Sequence, residues 1–185
     1  LDQFNIGQLV DISAIGQVTG DLKFNLSLLK KGTYALDNAQ ASLSQLYVNN
    51  YNYTNINIQD AKIIDNQLLA SVKVADQHLN MTSILQLHLG AAPSYQVQAN
   101  IEKADLCSLK LSTIKNDQFS AQLNVGVEGP NWSSMVAFAS LKDFKYRAND
   151  RLVASELAQV HYRYQDNYTN IDLSSSILDF AIEGV

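Results

Sequence analysis

A single cysteine, Cys107, excludes a disulfide framework within the chain. Charged residues are sparse, at 17% against the roughly 25% of an average globular protein. The net charge is −5, and Lys and Arg nowhere cluster, which argues against electrostatic binding of nucleic acid. No run approaches the roughly 18 continuous apolar residues of a membrane-spanning helix. Only two prolines are present, and neither Gly/Ser/Pro-rich linkers nor charge runs mark a domain boundary. Residues 1–185 therefore read as one segment. The opening Leu1-Asp2-Gln3-Phe4 lacks both a basic stretch and an initiating Met, and reads as a cut from something longer, with any targeting signal outside it.

What is present is apolar and polar in alternation. The apolar fraction is 46%, and Asn, Gln, Ser and Thr stand where charged residues would otherwise be. From Leu79 the odd positions read Leu79, Met81, Ser83, Leu85, Leu87 and Leu89, against Asn80, Thr82, Gln86 and His88; Ile84 is the one break. Tyr95, Val97, Ala99 and Ile101 then alternate with Gln96, Gln98, Asn100 and Glu102. Phe119, Ala121, Leu123, Val125 and Val127 do so with Ser120, Gln122, Asn124 and Gly126. Successive side chains of a strand point to opposite faces, so each run has one apolar and one polar face. That is the mark of antiparallel sheet with one wet side. Strands are predicted at 17–29, 33–37, 39–48, 54–64, 67–75, 78–89, 94–102, 118–128, 132–140, 151–165, 167–174 and 176–183. Turn signals include Lys31-Gly32, Asp65-Asn66, Asp76-Gln77, Gly129-Pro130-Asn131, Asn149-Asp150 and Asp166-Asn167. Ala104–Leu109 and Leu141–Phe144 are the two places where a short helix or turn fits. The expected fold is all-β and antiparallel, with little helix.

Residues that carry chemistry are few and scattered. His78, His88 and His161 have no metal-ligand spacing to one another or to Cys107. Cys107 has no neighbouring base to activate it, and reads as a small buried hydrophobe. Gly126-Val127-Glu128-Gly129 lacks the Lys and following helix of a phosphate loop. Asp60, Asp65, Asp76, Asp117, Asp143, Asp150 and Asp166 fall mostly where turns are expected, without the alternation of a calcium loop. The sequons at Asn52, Asn80 and Asn167 are ordinary in so Asn-rich a chain. Tyr47, Tyr51 and Tyr53, like Tyr162, Tyr164 and Tyr168, form clusters that either pack across strands or stack a sugar or a base. No catalytic group, metal site or cofactor is expected, so the chain reads as a non-enzyme.

Several segments, taken in order, resemble the TamB (translocation and assembly module) family in its Bacteroidetes form, and its AsmA-like relatives. They are Gly20-Asp21-Leu22-Lys23-Phe24-Asn25, Tyr51-Asn52-Tyr53-Thr54-Asn55-Ile56-Asn57-Ile58, Leu68 to Asp76 with Leu79-Asn80-Met81, Tyr95-Gln96-Val97 leading into Ala104-Asp105-Leu106, and Ser174-Ser175-Ser176-Ile177-Leu178-Asp179-Phe180 with Gly184. The resemblance runs from about residue 17 to the end. It implies an internal fragment of a long periplasmic protein, anchored in the inner membrane by a helix outside this sequence. It further implies sheet rolled lengthwise into an open apolar groove, a β-taco. The functions it implies are phospholipid transport to the outer membrane and outer-membrane protein assembly. The outer-membrane assembly partner is met through regions not in this chain, and the family supplies no catalytic residues.

On that reading the groove lining is Leu79, Met81, Leu85, Leu87, Tyr95, Val97, Ile101, Phe119, Leu123 and Val125, and its partners are phospholipid acyl chains. The same ten residues are what a closed core would contain. A β-sandwich serving adhesion or carbohydrate binding is the alternative. Cutting a continuous sheet exposes unpaired backbone at its ends, so a truncation-driven dimer is also expected.

Overall fold

The computed structural model describes residues 2–5, 15–28, 34–88, 92–129, 135–149, 151–165, 168–176 and 180–184. The strands are β1 (Phe4–Asn5), β2 (Ile15–Leu28), β3 (Tyr34–Val48), β4 (Tyr51–Ile64), β5 (Gln67–Ala75) and β6 (Leu79–His88). They continue as β7 (Ser94–Asp105), β8 (Gln118–Glu128), β9 (Val136–Ala148), β10 (Arg151–Gln165), β11 (Tyr168–Ser175) and β12 (Phe180–Gly184). All pair antiparallel with their chain neighbours, in the order β1 to β12, as one meander that does not close on itself. The protein is all-β, as its alternation requires, and the described residues contain no helix.

Asn and Asp make the corners. Val48 pairs with Tyr51 across Asn49-Asn50, and Ile64 with Gln67 across Asp65-Asn66. All four corner residues have φ between 48° and 64°. Two left-handed residues in succession form the two-residue turn whose twist matches that of the strands it joins.

The same residue types also bend strands from within. Asn38, with φ 52°, sits where the β3–β4 register slips between Leu36 and Ala39. The segments expected as separate strands at 33–37 and 39–48 are therefore one strand with a bulge. Asp143, also at φ 52°, sits opposite the slip between Ser120 and Gln122 in β8. Leu141–Phe144 is accordingly bulged strand, and β9 runs on to Ala148 where 140 was expected. Of the other expected short helix or turn, Ala104 and Asp105 end β7 and 106–110 form a turn. A bulge places two residues against one and shifts which side chains face each side.

β2 lies next to the end of the sheet, inside β1. Among the described residues only Gln17 and Val18, of fourteen in this strand, have β1 beside them. The terminal strands of an open sheet can template pairing with another chain. Light scattering is expected to show concentration-dependent self-association; a monomer at the highest attainable concentration would count against it.

Candidate functional site

Register assembles the apolar runs into one surface. Val74 pairs with Met81 and Met81 with Ile101, which pairs with Ala121. The next row is Val72, Ser83, Ala99, Leu123 and Leu141; the one after is Ala70, Leu85, Val97, Val125 and Ala139. Leu87, Tyr95 and Val127 follow, while Leu79 and Phe119 flank Ala104. All ten residues expected to line a groove thus lie on one face, whereas Leu89 lies outside the described residues. None of the ten is fully buried, and Tyr95 is 40% exposed. The buried positions in these rows are mostly small: Ala70, Ser83, Ala99, Ala104 and Ala121 are each under 9% exposed, as is Val74 at the β5 end. Short side chains are shielded by taller neighbours, which themselves keep contact with solvent.

Towards β2 the same face is filled. Val18, Leu43, Ile56 and Val74 are buried together with Ala41, and Leu46, Tyr53, Leu79 and Met81 pack against them. The apolar face therefore has a packed part, from β2 to β5 with Leu79 and Met81 at the start of β6, and a half-open part over the rest of β6 to β9.

The opposite face carries a concavity of about 680 Å³. Two polar rows cross it from β4 to β9. One reads Asn57, Lys73, Thr82, Asn100, Gln122 and Lys142; beside it run Gln59, Ser71, Ile84, Gln98, Asn124 and Ser140. Val72, Ser83, Ala99 and Leu123 stand between them along the strands and also border the hollow. Of the ten groove candidates, Leu123 alone borders this hollow. Nearby, the Phe138 ring lies over Gly126, where a Cβ would come within 2.2 Å of it. Glycine is what lets the ring cover the backbone there.

One strand end is tied by carboxylates. Asp76 follows β5 and accepts from the Tyr51 hydroxyl at 2.5 Å, from the Thr54 N–H and hydroxyl at 3.0 and 2.8 Å, and from the His78 N–H at 2.8 Å. Burial works to raise the Asp76 pKa, but these bonds together hold it below the ordinary carboxylate value. Burial, then the Asp76 bond and charge, push Tyr51 far above its ordinary value; burial and the same charge raise Tyr53. The two tyrosine rings meet edge to face at 4.7 Å. Asp105, at the end of β7, accepts from the N–H and hydroxyl of Ser108, both at 2.9 Å, and lies 3.4 Å from His78 Nδ1. The Ser108 N–H is the main cause of its lowered pKa. In the following loop Asp117 is fully buried and takes the Cys107 N–H at 2.7 Å.

These groups hold backbone ends together, and none of them lines the hollow on the polar face. Cys107 is half-buried rather than buried. His88 is half-buried on the polar face and His161 is exposed. Among the described residues no three His, Cys, Asp or Glu side chains are placed to share a metal ion, and no helix is long and apolar enough to cross a membrane. Tyr47 donates to Asn50 and packs over Gly16, so the first tyrosine cluster is engaged with its own sheet. The side chains of Tyr164 and Tyr168 lie outside the described residues.

Sequence reasoning missed the Asp76 site, because its partners lie up to 25 residues away. It also missed the polar hollow. Compared with the known protein families, with curated proteins and with solved structures, the chain has no match.

Proposed function

We propose that the chain is an internal, non-enzymatic segment of a longer periplasmic protein that carries phospholipid towards the outer membrane. In this reading it offers acyl chains the apolar face of β6 to β9. The supporting observation is that the large side chains there remain part-exposed in a continuous strip, with Ser83 and alanines as the floor between them. A closed core would bury Leu85, Val97 and Leu123; an acyl-binding surface leaves them reachable. Apolar area covered by an acyl chain returns about 25 cal/mol per Å², which needs no charged headgroup clamp. Large exposed apolar strips mark interaction surfaces. The remaining parts of the proposal, an inner-membrane anchor and an outer-membrane assembly partner, belong to regions outside this chain and rest on the family resemblance.

The test is a photoreactive residue at Leu85, Val97 or Leu123 in the full-length protein. Crosslinks to phospholipid from all three positions are expected, since a route touches lipid along its length. Crosslinks confined to the protein itself would overturn the reading.

A further inference from the structure

The hollow on the polar face is independent of the acyl-binding reading, since it opens on the other side of the sheet. More of its lining surface is apolar than polar, and its polar groups are of a few kinds. The whole chain carries a net charge of −5, yet the lining holds Lys73 and Lys142 and no carboxylate. Between the lysines stand neutral amides and hydroxyls. Gln59, Gln98 and Asn100 make no side-chain hydrogen bond among the described residues, while Gln122 is already engaged by Asp143 at 3.2 Å. An amide presents donor and acceptor side by side, which suits hydroxyl groups that are themselves both. Ile84, 55% exposed in the middle of the hollow, offers the C–H face of a sugar ring one apolar contact. The lysines are four strand steps apart, roughly 19 Å. A linear oligosaccharide reaches across that span and a monosaccharide does not. A single-stranded nucleic acid would want aromatic rings to stack on, and the lining has none.

We propose that this hollow binds a linear acidic oligosaccharide laid across β5 to β9, its hydroxyls on the amide rows and its carboxylates on Lys73 and Lys142. Titration calorimetry of the chain with an oligogalacturonate is expected to show saturable binding. Replacing both lysines, Lys73→Gln with Lys142→Gln, should weaken it about tenfold or more, as loss of charge-assisted bonds does. Asn100→Ala should weaken it by a smaller factor. Lys115→Gln, in the exposed loop after β7, should leave it unchanged. All four positions are exposed, and circular dichroism of each variant checks that the sheet persists. The proposal is overturned by absence of binding at millimolar oligogalacturonate, or by equal binding of a neutral maltooligosaccharide. It is equally overturned if a DNA oligonucleotide binds as well as the oligogalacturonate, or if Lys115→Gln weakens binding as much as the double variant.

Discussion

Asp76→Ala is expected to lower stability by about 3 kcal/mol in urea denaturation. The carboxylate takes four hydrogen bonds, joining the start of β4, through Tyr51 and Thr54, to the β5–β6 corner at His78. Removing it strands two backbone N–H groups and two hydroxyls at once, and half-buried donors without acceptors are costly. Asp76→Asn keeps the shape and part of the accepting capacity, so its loss should be smaller. A loss below about 0.5 kcal/mol for the alanine variant would mean water replaces the carboxylate freely, and the tether would have no energetic role.

The pH profile follows from the same bonds. Asp76 and Asp105 have folded pKa values below the ordinary carboxylate value. Each therefore adds stability that is present above that value and lost as pH falls through the lowered one. Tyr51 and Tyr53 are shifted upward from 10.0, so their contribution is present below pH 10 and lost as pH rises through the raised values. Stability is expected to be level between roughly pH 5 and 9 and to fall on both sides. Asp76→Asn should soften both limbs, because it removes the acid that titrates at low pH and the charge that keeps Tyr51 protonated at high pH.

Much of the fold was legible because alternation reports the pleat directly. The pairing of Met81 to Leu87 with Ile101 to Tyr95 is the pairing that their common period demands. Legibility failed where Asn or Asp enters a strand in the left-handed region. At Asn38 and Asp143 the alternation resets, and a reset inside a strand looks the same in sequence as a turn between two. The polar residues of the hollow were visible as the other half of each alternation. Their concavity was not, because curvature comes from twist and bulges summed over six strands, which no single run records. The Asp76 tether was hidden differently: Asp76-Gln77 reads as a turn, and nothing local points to Tyr51.

Val74→Arg and Val97→Arg are expected to separate the packed and half-open parts of the apolar face. Val74 is 5% exposed, within the cluster of Val18, Leu43 and Ile56. A guanidinium there has no described carboxylate partner in that cluster, and burying it unpaired should cost about 4 kcal/mol, enough to unfold much of the chain at room temperature. Val97 sits between Leu85 and Val125 and is only half-buried. Its long stem can lie along those neighbours while the charged end reaches water, so the expected loss is about 1 kcal/mol. Urea denaturation of the two variants gives the comparison. The consequence for function runs the other way. Val97→Arg places a charge in the middle of the strip where acyl chains are proposed to lie, and in the full-length protein it should reduce lipid crosslinking at Leu85 and Leu123 while the sheet persists. Equal destabilisation by both variants would mean that the face closes over β6 to β9 as it does over β2 to β5. The acyl-binding surface would then be a core.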